Sequence, residues 1–157
     1  MNNKDKKNIT FPISSPMSGE LIPIEKVPDE IFSGKILGDG VAINPTSGKI
    51  YSPVDGLLDS VSETLHAFNF VSNDNLKMLL HVGLETVSLK GEGVKVCVKS
   101  GSKVKKGELI CEVDLEFLKS KNINPITSLI ICDAPDGIKL ESSLRHVEGG
   151  RDTAFSV

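Results

Sequence analysis

The chain has no tryptophan, one tyrosine and three histidines among its 157 residues, and several common patterns are missing from it. No apolar run approaches the roughly 18 residues of a transmembrane helix, so no direct membrane insertion is expected. The opening stretch Met1-Asn2-Asn3-Lys4-Asp5-Lys6-Lys7-Asn8 has charges but no apolar segment behind them. Residues 1–9 therefore read as a disordered tail, neither a signal peptide nor an amphipathic anchor. Lysine and arginine total 18 against 21 aspartates and glutamates. With signs interspersed there is no basic stripe to hold nucleic acid. The cysteines, Cys97, Cys111 and Cys132, are odd in number and lack C-x-x-C spacing. Lying in apolar runs, they read as reduced core thiols of a cytoplasmic protein. Gly91-Glu92-Gly93 lacks the lysine and helix of a phosphate loop, so no nucleotide cofactor is expected.

What remains is a succession of short apolar segments broken by Gly, Pro, Asn, Asp and Ser, the pattern of many strands joined by tight turns. Strands are expected at Thr10 to Ser15, Gly19 to Pro23, Val41 to Pro45, Lys49 to Ser52, Gly56 to Val61 and Ala67 to Ser72. Further ones are expected at Lys77 to Val82, Val94 to Val98, Leu109 to Asp114, Ile126 to Cys132 and Thr153 to Val157. Leu115 to Lys119 reads as a short helix entered through Asp114, and Glu25 to Phe32 as a helical turn. Ser15-Pro16-Met17-Ser18-Gly19 resembles Ser52-Pro53-Val54-Asp55-Gly56, and a related turn recurs at Ser100 to Leu109. The fold class is therefore all-β, an antiparallel sandwich or barrel-like fold of duplicated hairpin units with one or two short helical turns. It forms one domain over residues 10–157.

Two histidines sit inside strand-like runs, His66 and His81. A neutral imidazole serves as nucleophile, hydrogen-bond donor or metal ligand near neutral pH, so a pair on adjacent strands suggests one shared site. In the second run Leu76, Met78, Leu80 and Val82 share the core parity, which leaves Lys77, Leu79, His81 and Gly83 on a half-exposed face. If the first run is extended, Thr64, His66 and Phe68 share a face. The Thr64 hydroxyl is then placed to fix the His66 tautomer.

In family order the chain carries Ser15-Pro16-Met17-Ser18-Gly19-Glu20, Val27-Pro28-Asp29-Glu30-Ile31-Phe32, Gly38-Asp39-Gly40-Val41-Ala42-Ile43, Ser52-Pro53-Val54-Asp55-Gly56, Thr64-Leu65-His66-Ala67-Phe68 and Leu80-His81-Val82-Gly83-Leu84-Glu85. This set resembles the glucose-type enzyme IIA component of the phosphoenolpyruvate-dependent sugar phosphotransferase system. The resemblance implies a phosphocarrier in which His81 accepts a phosphoryl group, His66 donates a hydrogen bond to its oxygens, and Thr64 supports His66. It implies phospho-HPr as donor, a cysteine of a sugar-specific IIB domain as acceptor, a monomer, and no cofactor or resident metal. Ile31, Phe32, Ile36 and Leu37 match an apolar rim onto which both partners dock, the alternative being that they are core. Asp29 and Asp39 match acidic positions near the site. Leu79 and Ser62 stand where some relatives have aromatic residues, and Glu85 where the family commonly has Asp.

Two other readings compete. A zinc-dependent hydrolase of a related duplicated-hairpin fold needs three protein ligands, yet neither H-x-H nor H-E-x-x-H is present and His146 lies in a polar stretch. A lipoyl or biotinyl carrier needs a lysine at a hairpin tip, for which Lys105-Lys106 is suitably placed, but such modules are shorter and need no histidine pair.

Overall fold

The computed structural model describes residues 12–132 and 145–156. The expected tail over residues 1–9 lies outside them, as do Thr10, Phe11 and Val157 at the ends of two expected strands. The first strands are β1 (Pro12–Ser14), β2 (Gly19–Pro23), β3 (Asp39–Pro45), β4 (Lys49–Tyr51) and β5 (Gly56–Val61). Next come β6 (Ala67–Ser72), β7 (Lys77–His81), β8 (Val94–Val96), β9 (Lys103–Val104) and β10 (Leu109–Val113). β11 (Thr127–Ile131), β12 (Arg145–Val147) and β13 (Thr153–Ser156) complete the described set. Two short helices, α1 (Glu30–Ser33) and α2 (Leu115–Ser120), and 3-10 turns at Ile24–Lys26 and Thr86–Leu89 connect them. None of the described helices is long and apolar enough to cross a membrane.

All strand pairing among the described residues is antiparallel. The largest sheet runs β12-β2-β3-β11-β7-β6-β5-β9; β4-β10-β8 and β1-β13 form two smaller ones. The expected all-β class thus holds, and alternation explains it: β6 and β7 bury every second residue, as a half-covered strand must. β11 is buried at every position because both faces of the large sheet are covered there. One face meets the main core around Phe68, Phe70, Leu80, Leu129 and Phe155. The other lies under a second cluster of Ile24, Val27, Phe32, Ala42, Leu84 and Ile130.

The internal duplication is borne out by hydrogen bonds. Ser15 Oγ donates to Met17 O at 2.8 Å and Ser52 Oγ to Val54 O at 2.7 Å. Gly150 N donates to Ser15 O at 2.8 Å, and Gly107 N to Ser52 O at 2.9 Å. Gly149 N donates to Ser18 Oγ, matched by Lys106 N to Asp55 Oδ1. Each Ser-Pro turn is therefore clasped by a second turn with a left-handed glycine, Gly150 at φ 74° and Gly107 at φ 84°, where a side chain is disfavoured.

Three expectations need correction. β9 and β12 were not anticipated, because two or three residues are too few to show alternation and their pairing partners are distant in sequence. Of the three thiols only Cys111 is core; Cys97 and Cys132 are exposed, Cys97 just beyond edge strand β8 and Cys132 just past the end of β11. The run from Thr64 to Phe68 is not extended: Leu65 takes φ 57°, so Phe68 enters the core while His66 does not follow its parity.

Candidate functional site

Strand register brings the two histidines together. Ala67 of β6 lies opposite His81 of β7, and the Val82 amide donates to the His66 carbonyl at 2.7 Å. The imidazole centroids are 5.0 Å apart with the planes at 74°. His66 reaches this position from the tight connection between β5 and β6. Leu65 N donates to Ser62 O and Ser62 N to Ala67 O, both at 2.9 Å. The Ser62 hydroxyl accepts from the amides of His66 and Ala67 at 3.2 and 3.1 Å. The Thr64 hydroxyl bonds His66 Nδ1, as expected, and Ser62 Oγ stands 3.3 Å from the same nitrogen. Ser62 was noted only as standing where some relatives have an aromatic residue; its four-residue spacing from His66 is the signal that a turn joins them.

His81 Nδ1 lies 2.9 Å from the carbonyl of Gly83. A carbonyl can only accept, so Nδ1 carries the proton and the neutral ring presents an unprotonated Nε2. Gly83 makes this contact at φ 68°, and a side chain there would meet Thr86 Cγ2 at 2.7 Å. Burial holds the His81 imidazole below the ordinary histidine value; the Gly83 carbonyl opposes this, the neighbouring His66 adds to it, and Asp29 pulls upward. Burial likewise lowers His66. Both rings are neutral near pH 7, which is the state a nucleophilic imidazole needs.

The segment before β3 covers the sheet beside these rings. Asp29 caps α1 by accepting from Ile31 N at 2.9 Å, a favourable place for a carboxylate. That cap turns Phe32 inward, with its ring centroid 5.0 Å from that of His81. Phe32 is only 4% exposed and so departs from the expected rim: it backs His81 as part of the second cluster. Ile31, Ile36 and Leu37 do face solvent, at 47%, 71% and 40%. Val87, 53% exposed on the 3-10 turn after His81, was not singled out; an isolated valine between polar residues gives little signal. Leu79 shares the His81 face of β7 and packs partly against the second cluster. Glu85 is exposed with φ 61°.

Asp39 is placed differently from Asp29. Its carboxylate accepts from Gly40 N at 2.9 Å and pairs with Lys35 Nζ at 3.6 Å. Lys35 also pairs with Glu25 at 3.0 Å. Asp39 aligns with Ile131 and Met78, whereas His81 aligns with Ser128. Three residues along the strands and two strands across amount to about 14 Å between α-carbons. Of the two expected acids, Asp29 is therefore the one whose charge bears on His81.

Among the described residues no group of three or more His, Cys, Asp or Glu side chains is gathered to hold a metal ion, which leaves the zinc hydrolase reading without support. Lys106 does not stand free at its hairpin tip, since its Nζ donates to Pro12 O at 3.0 Å.

The family profile described as phosphoenolpyruvate-dependent sugar phosphotransferase system, EIIA 1, matches residues 11–136. The chain belongs to this EIIA family. It is 43% identical over 145 residues to the glucose-specific EIIA component of the phosphotransferase system from Buchnera aphidicola subsp. Acyrthosiphon pisum, covering 92% of this chain and 90% of that one. The Haemophilus influenzae glucose-specific EIIA component is 42% identical over 128 residues, 82% of this chain and 77% of its own. Among solved structures, glucose permease IIA from Mycoplasma capricolum superposes with a TM-score of 0.85 and 34% identity, covering 95% of this chain and 96% of that one. The EIIA family places the chain in phosphoryl transfer within a sugar phosphotransferase system, and the shared fold is a β-sandwich.

Proposed function

We propose that this EIIA protein carries a phosphoryl group on His81 Nε2, taken from phospho-HPr and passed to a cysteine of a sugar-specific IIB domain. The observation that carries the reading is the His81 ring, its Nδ1–H tied to the Gly83 carbonyl and its Nε2 unprotonated, beside His66 at 5.0 Å. On loading, the N–P bond of phospho-HPr breaks as a new N–P bond forms at Nε2; on unloading, that bond breaks as the IIB thiolate forms an S–P bond. Both are in-line displacements in which positioning and charge stabilisation dominate. His66 donates to the phosphoryl oxygens and Thr64 holds His66. Both partners dock in turn on the apolar surface of Ile31, Ile36 and Leu37, with Leu79 and Glu85 at its edge and Asp29 and Asp39 supplying negative charge around it. The protein works as a cytoplasmic monomer, and its likeness to glucose-specific EIIA components favours a glucose permease as the final acceptor. Incubation with phosphoenolpyruvate, enzyme I and HPr, followed by an acid-labile phosphate assay, tests the reading: wild-type protein takes up label and His81→Ala does not. Undiminished label on His81→Ala overturns it.

A further inference from the structure

Thr64 and Ser62 both place a hydroxyl on His66 Nδ1, but the two are not equivalent. A serine hydroxyl has one proton to donate and two lone pairs with which to accept. Ser62 Oγ already accepts from two backbone amides, His66 N at 3.2 Å and Ala67 N at 3.1 Å. Both lone pairs are thereby used, and its proton is what remains for the ring nitrogen at 3.3 Å. An Nδ1–H would meet an oxygen with nothing left to accept it. Thr64 imposes no such choice, because among the described residues its hydroxyl has no other hydrogen bond and can rotate either to donate or to accept.

We infer that Ser62 is a positioning residue that fixes the tautomer of His66, forcing Nδ1 to accept and holding the proton on Nε2, while Thr64 anchors the ring without setting its polarity. The inference rests on the proposed function for its purpose. His81 is Nδ1-protonated through Gly83 and His66 Nε2-protonated through Ser62, so one ring has a lone pair to attack phosphorus and the other an N–H to meet the phosphoryl oxygens. A misplaced proton on His66 Nδ1 would instead turn a second lone pair toward those oxygens, where it repels.

The test is the tautomer itself, read from long-range nitrogen–proton NMR correlations of the His66 ring at a pH where both histidines are neutral. Wild-type protein shows a protonated Nε2 and an accepting Nδ1. Thr64→Ala keeps that pattern. Ser62→Ala shifts both nitrogen signals toward a mixture, and Ser62→Asp, which still caps the two amides but has no proton to give, moves the proton to Nδ1. Onward transfer to IIB slows about tenfold in Ser62→Ala, while loading of His81 continues. A protonated Nδ1 in the wild type overturns the inference without any substitution, as does an unchanged tautomer in both Ser62 variants. Failure of His81 to take label leaves the NMR pattern intact and so counts against the proposed function alone.

Discussion

Ala67 and His81 face each other across β6 and β7, and that single register pair sets the geometry of the site. It places His66, one residue earlier, at the mouth of the strand pair, where the backbone leaves the sheet through the left-handed Leu65. His81 sits at the end of β7, before Gly83 turns the chain. Two rigid strand ends thus present two rings edge to face, and neither ring depends on a long mobile loop for its position.

The first prediction concerns pH. Both imidazoles are held below 6.5, their ordinary value, by burial. In the proposed function neutral His81 is the acceptor, so loading should stay level as pH falls to 6.5 and decline only with a midpoint below it. The same depression means the unfolded chain binds more protons between 6.5 and the folded values. Stability is therefore fully present above 6.5 and lost as pH falls through that window. Ring-proton NMR titration and initial rates of loading check both; a midpoint above 6.5 for His81 would contradict the burial argument.

The second separates the histidines. His66→Gln keeps a side-chain donor but not the imidazole, so His81 should still load. Onward transfer, which depends on steadying charge in the transition state, should slow by on the order of 100-fold. Single-turnover measurements of the two half-reactions read this directly. Blocked loading in His66→Gln together with label on His66 in His81→Ala would reverse the roles.

The third uses the cysteines. Burial pushes the Cys111 thiol up to about 12, with nearby Cys97 and Glu112 adding to the shift, whereas Cys97 is exposed. Since the thiolate is the reactive form, iodoacetamide at pH 8 should alkylate Cys97 in the native protein and leave Cys111 untouched until denaturant is added. Peptide mass mapping after brief labelling decides; comparable rates at the two sites would show that β10 opens readily.

The sequence put His81 on the half-exposed face because β7 obeys strict alternation: Met78, Leu80 and Val82 are buried and the other parity of the strand is not. It showed His66 for a partly wrong reason. The shared face with Phe68 assumed an extended chain, but Ser62 to Ala67 closes a turn, and a turn joins residues that an extended strand would hold about 13 Å apart. That is also why the contact of Ser62 with His66 was not visible. Around Asp29 the four residues expected at the rim divide, Ile31, Ile36 and Leu37 exposed and Phe32 buried. The N-cap fixes the one turn of helix that sends Phe32 inward and Ile31 outward, and no periodicity shows in four residues. The cysteines misled because an apolar run does not say where a strand ends or which strand is an edge.

The last prediction tests that split. Ile36 is 71% exposed and Phe32 4%, although both are apolar and four residues apart. Ile36→Glu puts its carboxylate in water, so thermal melting should be unchanged, while an unpaired charge in the proposed docking surface should raise the apparent KM for phospho-HPr. Phe32→Ala removes the ring that backs His81 and should cost about 3 kcal/mol or more of stability from the cavity left behind. By admitting water it should also let the His81 imidazole titrate nearer its ordinary value. Calorimetry and loading kinetics on the two variants, with the NMR titration of His81 repeated in Phe32→Ala, give three independent readouts. A melting temperature lost in Ile36→Glu and kept in Phe32→Ala would move Phe32 back to the surface and place Ile36 in the core.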